Sequence, residues 1–150
     1  MALNGVSLTV LSQKKVVLFV CTHNSARSQL SEAILEQKFG DHFQTFSAGT
    51  KPTTINPYVK QVLTEMGINT SNLKAKHVNE FLGQEIDIIV TVCDSAKESC
   101  PYFLGAKRYE HKSFKDPSNF TGTNDERLKA VKRLRDEISE WIEEVFTPKS

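Results

Sequence analysis

The chain has 150 residues, of which 39% are hydrophobic and 25% charged, with a net charge of +1. A chain of this length forms one domain with a real core, and its balanced charge argues against nucleic acid or a membrane surface as partner. No stretch approaches the apolar length of a membrane span. Three cysteines, at positions 21, 93 and 100, fit no four-ligand zinc spacing and point to a cytoplasmic chain with catalytic or redox thiols.

In chain order, residues 1–13 lack an early positive charge and read as a poorly ordered extension rather than an export signal, ahead of a domain over 14–150. Val16 to Val20 is a continuous, β-branched apolar run, as expected of a central parallel strand. A helix follows over Ser28 to Phe39, with Gly40 as its C-cap. His42 to Ser47 is a weaker strand. Asn56-Pro57 opens a helix that carries Val59, Val62, Leu63 and Met66 on one face and closes at Gly67. Ile86 to Val92 repeats the buried-strand pattern, and Lys107 to Glu110 is the weakest strand. The last helix carries Leu128, Val131, Leu134, Ile138, Trp141, Ile142 and Val145 at three- and four-residue steps, capped by Thr123 or Asn124. Phe39, Phe43 and Phe46 belong to the core, and the glutamates at 137, 140, 143 and 144 form a solvated face. Strands alternating with helices predict a single-domain α/β three-layer sandwich on a four-stranded parallel sheet. Ligands then bind beyond the carboxyl ends of the strands, where Cys21 and Cys93 both fall.

Cys21-Thr22-His23-Asn24-Ser25-Ala26-Arg27-Ser28 joins the first strand to its helix. A short loop here can turn successive backbone N–H groups onto a tetrahedral oxyanion. Arg27 can clamp two anion oxygens at once, and in that field Cys21 is expected as the attacking thiolate. Asn24 and Ser25 shape the loop, Ser28 can hydrogen-bond the Cys21 sulfur, and His23 is expected in solvent. Asp116, held extended by Pro117, is the candidate proton donor to a leaving oxygen. Cys93 and Cys100 bracket a polar, helix-compatible stretch without apolar anchors. As a helix it would hold their Cα atoms roughly 10 Å apart, whereas a disulfide needs about 7 Å or less. A Cys93–Cys100 bond therefore requires the segment to bend or unwind.

The C-x5-R-S loop resembles the signature of cysteine-based protein tyrosine phosphatases, and its place after the first strand resembles the low-molecular-weight branch. With SAG at Ser47 to Gly49, VTVCDSAKESCP and HKSFKDPS, the chain from about Lys15 to Phe146 resembles thioredoxin-coupled arsenate reductases of that fold. The tyrosines that follow Asp-Pro in low-molecular-weight phosphatases are replaced by Ser118-Asn119. The resemblance implies a relay in which Cys21 attacks arsenate, Cys93 attacks Cys21, and Cys100 attacks Cys93 to leave a disulfide for thioredoxin. It implies an oxyanion seat built by Thr22, His23, Asn24, Ser25, Ala26, Arg27 and Ser28, which phosphate or sulfate would also occupy. No tightly bound cofactor is expected, and the protein is expected to be a monomer. Some relatives bind potassium through positions matching Asn24, Glu32, Ser47 and Lys76; the last is reversed in charge, so either the Lys76 ammonium replaces the cation or Lys76 is a solvated surface charge. His42, His77 and His111 have no ligand partners at metal spacing, and no metal is assigned. Competing readings are a low-molecular-weight phosphatase whose extra cysteines protect Cys21 from oxidation, and an oxyanion- or redox-sensing binding protein. Glutaredoxin with glutathione is the alternative reductant.

Overall fold

The computed structural model describes residues 14–148 apart from 102 and 104, with 97–99 described for the backbone alone. The extension expected over residues 1–13 lies outside the described residues. The four strands are β1 (Lys15–Cys21), β2 (Phe43–Gly49), β3 (Ile88–Thr91) and β4 (Arg108–His111). The α-helices are α1 (Arg27–Phe39), α2 (Pro57–Glu65), α3 (Asp94–Ser99) and α4 (Asn124–Phe146). The sheet order is β2-β1-β3-β4, and every pairing is parallel.

Val17, Leu18, Phe19 and Val20 are all fully buried. Successive side chains of a strand point to opposite faces, so both faces of β1 are covered and the sheet is the middle of three layers. β3 is also buried throughout. It is shorter than the run Ile86 to Val92 predicts, because the Asp87 side chain turns back to accept the Val16 N–H (2.7 Å). The Asp87 carbonyl meanwhile takes the N–H groups of Lys107 and Arg108.

Local signals explain the helix ends. Asn56 caps α2 by accepting the N–H groups of Tyr58 and Val59, and Gly67 closes that helix at φ 84°. Thr123 and Glu126 form a reciprocal capping box on α4. Gly40 is the C-cap of α1, as expected, in a right-handed conformation (φ −60°) rather than the left-handed one that glycine often supplies. The buried stripe of α4 is Val131, Leu134, Ile138, Ile142 and Phe146. Phe146 gathers the rings of Phe19, Phe43 and Trp141 around it in edge-on contacts. The core thus holds β1 still, and β1 ends at Cys21.

Candidate active site

The loop after β1 is held by its carbonyls. Those of Cys21, Thr22, His23 and Ser25 accept N–H bonds from Thr50, Lys51, Thr53 and Asn56. A trans peptide places its N–H opposite its carbonyl, so the following amides, of Thr22, His23, Asn24 and Ala26, turn toward the other side. The Asn24 N–H accordingly points at Cys21 Sγ (3.2 Å). Gly49 makes this approach practicable: a Cβ there would lie 2.5 Å from the Thr22 carbonyl and 2.8 Å from the Asn24 nitrogen.

Asn24 is fully buried and left-handed, at φ 51°. Its Oδ1 accepts the Lys76 backbone N–H (2.9 Å) and Gln29 Nε2 (3.0 Å). Because a backbone N–H can only donate, this fixes the amide orientation and leaves Nδ2 to donate to Ser28 Oγ (2.8 Å). The Ser28 hydroxyl then has its own proton to give to Cys21 Sγ, 2.8 Å away. Gln29, which the sequence reading did not single out, is 2% exposed and also donates to the carbonyls of Asn24 and Lys74.

Burial pushes the Cys21 thiol above its ordinary value, with the Cys93 sulfur acting in the same direction, and the hydrogen bonds from Ser28 and Asn24 oppose it. Desolvation and these donors thus act on the Cys21 sulfur in opposite directions, and the loop presents it with donors suited to a thiolate.

Arg27 donates to the Phe114 carbonyl (3.3 Å) and meets the Asp116 carboxylate at 3.4 Å. Asp116 is extended, as Pro117 requires, and caps a short 3-10 turn by accepting the Ser118 N–H. Partial burial raises the Asp116 pKa, but Ser118, Arg27 and His23 together outweigh it and hold the carboxyl below its ordinary range. His23 is exposed at the rim. Cys21, His23, Ser25, Ala26, Arg27, Asn56, Asp116 and Ser118 line one small cleft. A larger cleft of about 390 Å³ lies between Lys115–Thr121 and α4, and no cysteine lines it.

Cys93 sits at the start of α3, buried, with its sulfur 3.4 Å from the Thr22 hydroxyl. Cys100 ends that helix, half-buried, and burial pushes its thiol up to about 11. Both cysteines are free thiols, as is Cys21. The stretch between them is not without an anchor, contrary to expectation, since Ala96 is fully buried. Downstream, the Tyr109 hydroxyl bonds both the N–H (2.8 Å) and the carbonyl of Phe103.

The four residues matched to a cation site do lie near one another. Ser47 Oγ donates to Glu32 Oε1 (2.6 Å), and Asn24 Oδ1 is bonded to the Lys76 backbone. The Lys76 ammonium donates to the Lys74 carbonyl (3.2 Å). Burial pushes the Glu32 carboxyl above its ordinary range, against the Ser47 hydrogen bond and the Lys76 charge. Among the described residues no cluster of His, Cys, Asp and Glu could hold a metal ion, and no helix is long and apolar enough to cross a membrane.

The model of the low molecular weight phosphotyrosine protein phosphatase family matches residues 16–148. An arsenate reductase of Halalkalibacterium halodurans is 36% identical over 86% of this chain and 93% of its own length. A solved arsenate reductase in a phosphate-binding state superposes with a TM-score of 0.73 at 22% identity, covering 87% of this chain and 95% of the other. A thioredoxin-dependent arsenate reductase of Corynebacterium glutamicum gives 0.65 at 24% identity, over 97% of this chain and 70% of that one. These last two likenesses speak for the fold.

Proposed function

We propose, from the premise that this chain belongs to the low-molecular-weight phosphotyrosine protein phosphatase family, that it is an arsenate reductase working through three thiols in the cytoplasm, as a monomer. The observation that carries the reading is the seat of Cys93 against Thr22 of the anion loop. A phosphatase needs no second sulfur there.

Arsenate enters the ring of N–H groups and draws Arg27 from Asp116 onto its oxygens. The bound dianion is a base beside Cys21, so a proton on that sulfur can pass to an arsenate oxygen and leave the attacking thiolate. The same negative charge raises Asp116 toward protonation and suits it to donate to the departing oxygen. Cys21 attacks arsenic(V), and one oxygen leaves as water. Cys93 then attacks the Cys21 sulfur. The sulfur–arsenic bond breaks, its electron pair stays on arsenic as arsenite, and a Cys21–Cys93 disulfide forms. Cys100 attacks Cys93, Cys21 leaves as thiolate, and the Cys93–Cys100 disulfide passes to thioredoxin, whose dithiol supplies the two electrons. Glutaredoxin with glutathione is the other reductant class. The Lys76 ammonium takes the place of a potassium ion beside Glu32, so potassium, with sodium as control, raises neither activity nor melting temperature.

The test is arsenate-dependent NADPH oxidation with thioredoxin and thioredoxin reductase. Wild type is expected to turn over continuously, and Cys100→Ser to stop after about one equivalent. Aryl-phosphate hydrolysis should survive Cys100→Ser, because the anion loop and Asp116 perform it without Cys100. Robust aryl-phosphate hydrolysis without any arsenate-dependent oxidation would overturn the reading in favour of a phosphatase with protective cysteines.

A further inference from the structure

His111, the last residue of β4, is the candidate. Its Nδ1 lies 2.7 Å from Thr91 Oγ1 and its Nε2 lies 3.0 Å from Asp94 Oδ1. The ring therefore spans residues 91 and 94, the positions that flank Val92-Cys93. Its side chain is 25% exposed, whereas that of Asp94 is 84% exposed. A carboxylate only accepts, so Nε2 carries the proton toward Asp94. The Thr91 hydroxyl can donate to a neutral Nδ1 or accept from a protonated one. The bridge thus forms in either protonation state of the imidazole.

Cys93 has to stay in place while its surroundings move. Its sulfur touches Thr22 at the rim of the anion loop, and its backbone opens α3 with no side-chain cap bond. For Cys100 to come within bonding distance, α3 must unwind, and the helix then ceases to hold Cys93. What remains fixed is the end of β3. Thr91 is paired with both β1 and β4, Val92 bonds the Val20 carbonyl, and the Thr91 carbonyl accepts the Lys112 N–H. The imidazole extends that fixed region across Cys93 to Asp94.

We propose that His111 is a positioning residue for the thiol relay, stapling Thr91 to Asp94 so that Cys93 keeps its place at the rim of the anion loop while α3 unwinds. The arsenate arm of this proposal rests on the reductase reading above. The geometry of Cys93 closing onto Cys21 does not, and an oxidant of another class reads it independently. Hydrogen peroxide converts the Cys21 thiol to a sulfenic acid. Cys93 then displaces the hydroxyl, forming the Cys21–Cys93 disulfide and releasing water.

The experiment uses the full chain in a Cys100→Ser background, with His111 intact, His111→Ala or His111→Gln. Each protein is oxidised with one equivalent of peroxide in the presence of dimedone, which traps sulfenic acid, and mass spectrometry counts the Cys21–Cys93 disulfide against the Cys21 adduct. Loss of positioning is expected to move this ratio about tenfold toward the adduct in His111→Ala. His111→Gln, whose amide can still donate to Asp94, should recover part of it. Aryl-phosphate hydrolysis, which needs the anion loop and Asp116 but not Cys93, should stay within about twofold, and arsenite release in a single turnover should fall in step with the ratio. An unchanged ratio in His111→Ala would overturn the proposal. So would a parallel loss of aryl-phosphate hydrolysis, since the tie would then merely hold the sheet together. Should peroxide close the disulfide in the intact background while arsenate yields no arsenite, the reductase reading fails, and the ratio still decides the role of His111.

Discussion

The anion loop and the segment from Cys93 to Phe103 meet where the Thr22 hydroxyl touches the Cys93 thiol, yet they are built on opposite principles. The loop spends a fully buried asparagine, a buried glutamine and a close-packed glycine on keeping eight residues in one shape. The segment holds a six-residue helix, Asp94–Ser99, whose one fully buried residue with a described side chain is Ala96. A site that must recognise a tetrahedral anion gains from amides already aimed before it arrives. A thiol that must be handed from one partner to the next gains from a backbone that can be rewound cheaply. Placing the two side by side lets one domain do both.

The comparison breaks first at Asn24. Removing its side chain leaves the half-buried Lys76 backbone N–H without its acceptor and the buried Ser28 hydroxyl without its donor, at about 1–3 kcal/mol for each unmet group. Asn24→Ala should therefore cut aryl-phosphate hydrolysis and arsenate reduction together by more than about tenfold and lower the unfolding temperature. Loss of one activity alone would mean that the loop is not a shared platform.

Ala96→Gly tests the other side. Glycine costs a helix about 1 kcal/mol relative to alanine, so unwinding should become about fivefold easier. Cys93–Cys100 closure should speed up by up to that factor, hydrogen exchange over 94–99 should accelerate, and aryl-phosphate hydrolysis should stay unchanged. A fall in that hydrolysis would show that α3 braces the loop.

The smallest effect lies at Glu32, beside the loop. Burial raises its pKa, so folding favours the protonated form. The associated stabilisation is complete below the ordinary carboxylate range and is lost as pH rises through the raised value. Glu32→Gln has no such loss. The variant should melt with wild type near pH 4 and a few degrees above it at pH 8, by thermal unfolding. A variant less stable at pH 8 would mean that the Lys76 charge outweighs burial.

Cys100 adds a pH signature of its own. With its thiol pushed up to about 11, only about one molecule in a thousand carries the thiolate at pH 8. Alkylation of reduced Cys100 should be correspondingly slow, and faster once α3 unwinds.

Much of this was legible in the residues. A continuous β-branched run cannot be half-exposed, so Val16 to Val20 announced a strand covered on both faces, and a thiol–guanidinium loop at its end announced an anion seat. Asn56-Pro57, Gly67 and Thr123 carry their helix boundaries in local chemistry. Gly40 likewise marks the end of α1, although its cap is right-handed, since a glycine after a helix permits a left-handed cap without requiring one. The Ile86 to Val92 run overshot its strand because apolarity marks burial, and the turn at Asp87 is made by a side-chain bond to Val16.

By itself the sequence determined which groups are present and in which order: a nucleophile and its clamp on one turn, two further sulfurs seven residues apart, and a carboxylate ahead of a proline. The tertiary structure alone decided how they are held and charged. Gly49 matters because β2 runs in register beside β1, which brings it under the Thr22 carbonyl. Thr22 reaches Cys93, and His111 reaches Thr91 and Asp94, because β1, β3 and β4 are parallel neighbours ending at one rim. The charge on Cys21 depends on the fold for the same reason. Local residues report the dipoles around a sulfur, but its desolvation depends on every element packed over it, and that sum exists only in the folded chain.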